Sequence, residues 1–251
     1  MINHIYMKHK LIIAFAFILS LSQAKAQIAP DEIKTSNGML RIQPITHASL
    51  VFTWNNKTIY VDPTGGIAAY KGIAAPDMIL ITDIHGDHMD AKTLEAVNTN
   101  KAIVVAPQAV ADMLPASVKD KLVILKNGDN SQQLGVSITA IAMYNLPQPS
   151  NFHMKGRGNG YVLNTGGKNI YISGDTQGIP EMLALKNIDI AFVCMNLPYT
   201  MEVNEAAKSV LTFKPVIVYP YHYRGQDVNV FKKLVNDGDK NIEVRLKNWY
   251  P

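Results

Sequence analysis

Apolar residues fall in short runs along this chain, and the runs change character from its first half to its second. Residues 40–45, Ser49–Trp54 and 58–61 are β-rich, and Asn55–Asn56 supplies a two-residue hairpin turn between the second and third. Residues 78–81 and 102–105 are short, almost wholly apolar runs expected as buried strands. Helix-forming composition follows them at Ala91–Val97, Gln108–Met113 and 117–121. Strands are expected again at 123–125 and Val136–Met143, and then a long polar loop at 144–159. The second half predicts a hairpin of 161–164 and 169–172 across Thr165-Gly166-Gly167. Buried strands follow at 190–193 and 216–219, helices at Val203–Phe213 and 228–235, and a last strand at 242–246. Strands alternating with helices suggest sheets covered by helices on their outer faces. No solenoid repeat, low-complexity tract or linker interrupts the pattern, so residues 27–251 read as one domain.

Residues 1–26 stand outside that pattern. Lys8 and Lys10 precede an apolar run from Leu11 to Leu21, and Ala24-Lys25-Ala26 has the small-x-small form of a cleavage site. The run is too short for a helix to cross a bilayer of roughly 30 Å. It is expected to be a secretory signal peptide, which places the protein in the periplasm or outside the cell, with no membrane span in the mature chain. Cleavage removes three lysines and no acid, so the formal charge falls from +4 to +1. No Lys/Arg cluster is long enough to track a phosphate backbone, which argues against nucleic acid as partner. The single cysteine, Cys194, excludes an intramolecular disulfide and lies in an apolar run, where a buried thiol is expected.

The candidate chemistry is carried by histidines. Five remain after the signal: His47, His85, His88, His153 and His222. The densest cluster is Thr82-Asp83-Ile84-His85-Gly86-Asp87-His88, between a predicted strand and a predicted helix. So much polarity in a tight turn needs partners, and a divalent metal supplies them through ordinary imidazole and carboxylate ligation. Ser173-Gly174-Asp175-Thr176 and Tyr221-His222-Tyr223 each follow a predicted strand, and His153 lies in the long loop. His47, between two strands, reads equally as a structural hydrogen-bonder.

As an ordered set, Asp83-x-His85-x-Asp87-His88, His153, Gly174-Asp175-Thr176 and His222 resemble the ligand motifs of the metallo-β-lactamase superfamily. Within it, 42–63 and the segments Met195–Met201 and Gly174–Glu181 resemble the branch near the ascorbate-6-phosphate lactonases. The resemblance implies an α/β fold, a four-layer αβ/βα sandwich with its site at one edge. It also implies two divalent metal ions, zinc foremost. Asp83, His85 and His153 would hold the first, Asp87, His88 and His222 the second, and Asp175 would bridge them. Asp83 stands where the family has a histidine; this harder, charged ligand makes manganese or iron the alternative and places the first site in question.

The expected function is a metal-dependent hydrolase that attacks an ester, lactone or amide of a small molecule with a metal-bridging hydroxide oriented by Asp87. A phosphodiesterase is the alternative on the same scaffold, and an exported metal-binding protein with little turnover is the third reading. A basic pocket from Lys155 and Arg157 would favour phosphate, an apolar mouth a lactone or lipid-like ester. Residues 143–149 and 154–159 are expected at that mouth, with Tyr144, Tyr199, Tyr221 and Tyr223 as candidate substrate contacts.

Overall fold

The computed structural model describes residues 28–99 and 101–251. The export signal expected over residues 1–26 lies outside the described residues.

The chain folds as two seven-stranded sheets, each laid down in sequence order. The first contains β1 (Asp31–Thr35), β2 (Gly38–Thr46), β3 (Ser49–Trp54), β4 (Lys57–Val61), β5 (Met78–Leu80), β6 (Ile103–Ala106) and β7 (Leu122–Ile124). The second contains β8 (Asn130–Gln133), β9 (Val136–Met143), β10 (Gly158–Thr165), β11 (Lys168–Ile172), β12 (Ile190–Cys194), β13 (Ile217–Tyr221) and β14 (Glu243–Val244). β1 to β4 pair antiparallel, and β4 to β7 pair parallel. β8 to β11 and β11 to β14 repeat that switch. The two halves therefore share a topology that no repeat in the sequence announces.

Side chains alternate between the faces of a strand, and both faces here are apolar because both are covered. Leu50, Phe52, Ile59, Val61, Met78, Leu80 and Val105 enter the core between the sheets. Their neighbours Val51, Tyr60, Ile79, Val104 and Ala106 join an outer core with Leu94, Val97, Val110 and Leu114. Those last four come from α1 (Ala91–Val97), α2 (Gln108–Met113) and the residue after it. Phe52 and Phe192 meet edge to face across the sheets at 5.6 Å. On the far side α4 (Val203–Phe213) buries Ala206, Ala207, Val210 and Phe213, and α5 (Val228–Gly238) buries Phe231 and Val235. That order, helices, sheet, sheet, helices, is the expected four-layer sandwich. No helix among the described residues is long and apolar enough to cross a membrane.

Two strands and one α-helix differ from the sequence reading by addition, beside a 3-10 turn at Ile67–Tyr70. β1 and β8 are polar strands, Asp-Glu-Ile-Lys-Thr and Asn-Ser-Gln-Gln, each at a sheet edge where one flank faces water. α3 (Pro180–Leu183) is a single turn begun by proline. Two expected elements shrink: 117–121 reduces to a 3-10 turn at Ala116–Val118, and the last strand to two residues. Cys194 is buried and free, and burial pushes its thiol pKa up to about 12.

Candidate metal centre

The polar residues gather where the carboxyl ends of the parallel strands from both sheets converge. β4 runs into Asp62, β5 into the turn carrying Asp83 to His88, β11 into Asp175, and β13 into His222. The loop after β9 contributes Asn145 and His153, and the β2–β3 turn contributes His47. Asp90 ends the cluster by capping α1, accepting from Lys92 N at 3.0 Å. The two sheets approach closely here. A Cβ on Gly158 would lie 2.9 Å from Thr82 O, and one on Gly174, at φ +59°, would lie 3.2 Å from Thr82 Cβ. Asp62, His47 and His222 themselves hold left-handed conformations, φ 44°, 54° and 47°. Such backbone costs on the order of 1–3 kcal/mol per residue and persists only where its surroundings impose it.

His88 is the most constrained of these side chains. Its side chain has no exposure, and Nδ1 lies 2.8 Å from Asp62 Oδ2. Asp62 also accepts from Thr82 N and Thr82 Oγ1, each at 2.7 Å. A carboxylate only accepts, so the proton sits on His88 Nδ1 and Nε2 is left facing the site. Burial disfavours the imidazolium, yet the charges of Asp175 and Asp62 outweigh it and hold the His88 pKa well above its usual value.

His88 Nε2 lies 3.1 Å from His222 Nε2 and 3.4 Å from Asp175 Oδ1, and His222 Nε2 lies 3.3 Å from that same oxygen. A tetrahedral ion with bonds of ~2.0–2.1 Å holds its ligand atoms about 3.3–3.4 Å apart. Asp175 Oδ1 has no hydrogen-bond partner despite its burial. Burial works against the Asp175 charge, but His222, His88 and His153 outweigh it and keep the carboxylate well below its usual pKa. These three residues therefore converge with geometry and donor chemistry suited to a divalent metal.

Asp175 faces both expected positions: Oδ2 lies 3.2 Å from His153 Nε2, another buried atom without a hydrogen-bond partner. Asp83, His85 and His153 form their own convergent group, with Asp83 Oδ2 2.9 Å from His85 Nδ1 and 3.8 Å from His153 Nε2. His153 Nδ1 is held by Asn145 Oδ1 at 3.2 Å. Asp87 sits somewhat apart. It converges with His47 and His222, its Oδ2 2.8 Å from His47 Nε2 and 3.4 Å from His222 Nε2. Burial opposes its charge, but hydrogen bonds from His222 and His47 outweigh it and hold it well below the usual carboxylate range.

The seven residues singled out from the sequence thus lie close together, but the expected set of Asp87, His88 and His222 is divided: His88 and His222 converge with Asp175, and Asp87 with His47 and His222. Three others belong to the centre that sequence reasoning did not assign. His47 is the partner of Asp87; Asp62, read only as part of a matching segment, orients His88; and Arg157 grips Asp83, its Nε 3.1 Å from Oδ1 and its Nη2 2.9 Å from Oδ2. Burial raises the Asp83 pKa, but the hydrogen bond from His85 and the charges of His88 and Arg157 bring it down to about 2.

A cavity of about 530 Å³ opens on this centre, lined by His47, His85, Asp87, His153 and Asp175 together with Phe152, Asn196, Leu197, Pro198, Tyr199 and Arg224. Residues 143–149 and 154–159, expected at the mouth, are not among its walls. Of the four candidate tyrosines it is Tyr199 that lines the cavity. Tyr144 donates to Glu181, Tyr221 accepts from Gly174 N, and Tyr223 donates to Lys247 O.

Comparison with known proteins agrees with this architecture. The profile of the β-lactamase superfamily domain matches residues 41–222. A UPF0173 metal-dependent hydrolase of Pyrococcus abyssi is 30% identical over 83% of this chain and 97% of its own. One from Thermococcus onnurineus is 32% identical with the same coverage. The crystal structure of a protein described as a metal-dependent hydrolase, from Parabacteroides distasonis, superposes with a TM-score of 0.81. Its identity is 40%, covering 88% of this chain and 98% of that one. With the fold, the convergent ligands and these relatives in agreement, the chain belongs to the metallo-β-lactamase superfamily as a metal-dependent hydrolase.

Proposed function

We propose that this protein is exported and hydrolyses an ester, lactone or amide of a small molecule that carries an apolar group. Zinc is the first-choice metal for a His/Asp donor set of this kind, with manganese or iron the alternatives. The observation that carries the substrate reading is the composition of the cavity mouth. Lys155 is engaged by Glu181 at 2.7 Å and Arg157 by Asp83, so neither cation is free for a phosphate. Phe152, Leu197 and Tyr199 line the cavity while remaining exposed, at 38%, 49% and 47%. Burying an apolar substituent against such a wall contributes about 0.8 kcal/mol per methylene.

A bound divalent metal would acidify a water and polarise the scissile carbonyl. The chain's own residues supply orientation. Asp87, its side chain 44% exposed, is the carboxylate best placed to hold the attacking water by a hydrogen bond. Its depressed pKa suits it to orienting that water rather than to taking its proton outright. Burial lowers the His47 pKa, so a neutral His47 donates Nε2–H to Asp87 and fixes the carboxylate. Asn196, buried at the cavity wall, places an uncharged amide where a developing oxyanion can use it.

Arg224 favours the second reading, a phosphodiesterase: it lines the cavity and makes no ion pair among the described residues. A hydrolysis panel with metal analysis decides. Acetyl and longer-chain acyl esters, lactones and bis(p-nitrophenyl) phosphate are compared on the metal-loaded protein and on Asp87→Asn. The expected result is carbonyl turnover that improves with acyl length, and a loss of about 10²–10⁴-fold in kcat for Asp87→Asn with unchanged melting. Turnover of the phosphodiester alone would install the second reading. Bound metal without turnover on any substrate would make the chain a metal-binding protein.

A further inference from the structure

The departure at Asp83 has a counterpart elsewhere in the chain. Asp83 is wholly buried, and Arg157 reaches it with a two-pronged guanidinium, Nε to Oδ1 and Nη2 to Oδ2. The same Nη2 stands 3.5 Å from His85 Nε2, so the cation faces two members of the Asp83–His85–His153 group. Its placement is fixed by the sheet. Arg157 immediately precedes β10, whose Asn159 N donates to Thr82 O at 2.9 Å. An arginine does not give up its charge in a protein. The His88–Asp175–His222 group has no such neighbour: the ionic contacts of Asp175 and Asp87 are to histidines alone among the described residues.

We infer that Arg157 is a resident cation of the first metal position, and that it makes the two positions unequal. An ion at Asp83, His85 and His153 shares its carboxylate with a guanidinium and meets that positive charge at close range. An ion at His88, Asp175 and His222 meets neither obstacle. The second position fills first and holds its ion; the first binds weakly and empties first. The inference rests on the metal-hydrolase reading, but its test does not use activity.

The full chain is stripped of metal, dialysed against zinc, and then against metal-free buffer; retained zinc per chain is measured by plasma mass spectrometry, with calorimetric titration alongside. The expected result is one retained ion per chain in the native protein and two in Arg157→Met, with the first position tightened roughly tenfold or more. Because Arg157→Met leaves a buried carboxylate unpaired, the double variant Asp83→His/Arg157→Met is measured too, and two retained ions are expected. Arg157→Lys keeps the charge and should retain one. Two ions of equal affinity in the native chain would overturn the inference and leave the hydrolase reading standing. Fewer ions in Arg157→Met than in the native chain, or one in the double variant, would overturn it as well. No retained zinc in any of them would overturn both.

Discussion

His88 shows how a single side chain is prepared before any ligand arrives. Its Nδ1 is committed to Asp62 at 2.8 Å, and Asp62 is itself held by two hydrogen bonds from Thr82. Only Nε2 then faces the centre, with its tautomer and ring plane fixed. Partners of this kind typically govern 10–100-fold of metal affinity. Asp62→Asn keeps the shape but offers an amide in place of the carboxylate, so zinc affinity should fall by about that factor; a chelator competition measures it. Equal affinity would show that Asp62 serves folding alone. The sequence made His85, Asp87 and His88 visible because they crowd one turn. Asp62 and His47 were not separable from ordinary strand-end residues. Both hold left-handed backbone, at φ 44° and 54°, which Asp and His adopt more readily than most residues but which no glycine at either position announces. Arg157, conversely, is legible in the sequence only as a charge near the site; its position beside Asp83 depends on packing between β10 and the turn after β5.

At the scale of elements, apolar periodicity identified the strands that are buried and missed those that are not. β1 is polar because it is an edge; beside its ladder to β2 and the buried Ile33, a set of charged contacts ties it down. Asp31 accepts from Tyr219 Oη at 2.7 Å, contacts Arg245 at 3.4 Å, and pairs with Lys247. Burial alone would raise its pKa, but the hydrogen bonds and charges of Lys247, Tyr219 and Arg245 outweigh it and lower the value. A depressed carboxylate contributes stability that is present above its unfolded pKa of about 3.9 and is lost as pH falls through the lower, folded value. Asp31→Asn should therefore cost about 1–3 kcal/mol at pH 7, and the deficit should shrink as pH falls below about 3.9. Urea unfolding of both proteins at pH 7 and at the lower pH checks this; an equal deficit at both would show that the charge contributes nothing. β8 escaped for the same reason as β1, since its Asn-Ser-Gln-Gln sequence has no apolar face to detect.

At the scale of the whole molecule, the centre is a seam between two halves of like topology. The first sheet and its turns bring Asp62, Asp83, Asp87 and His88; the second brings His153, Asp175 and His222. The scattered members could be gathered from sequence only through their order as a family set. Which oxygen of Asp175 faces which group, and the pairing of Asp87 with His47, are consequences of how the two sheets meet. An ion at His88, Asp175 and His222 would join the sheets directly, and the unfolded chain has no such arrangement to offer it. Binding to the folded state alone stabilises by about 2.7 kcal/mol when free metal stands at a hundredfold excess over Kd. For a chain of this size that corresponds to a rise of about 5–10 °C in Tm. Calorimetric melts in chelator and in excess zinc should differ by that amount, and Asp175→Asn should remove most of the difference. An unchanged Tm on metal removal would mean that the seam is closed by Phe52, Phe192 and the rest of the apolar core, with the metal contributing only to chemistry.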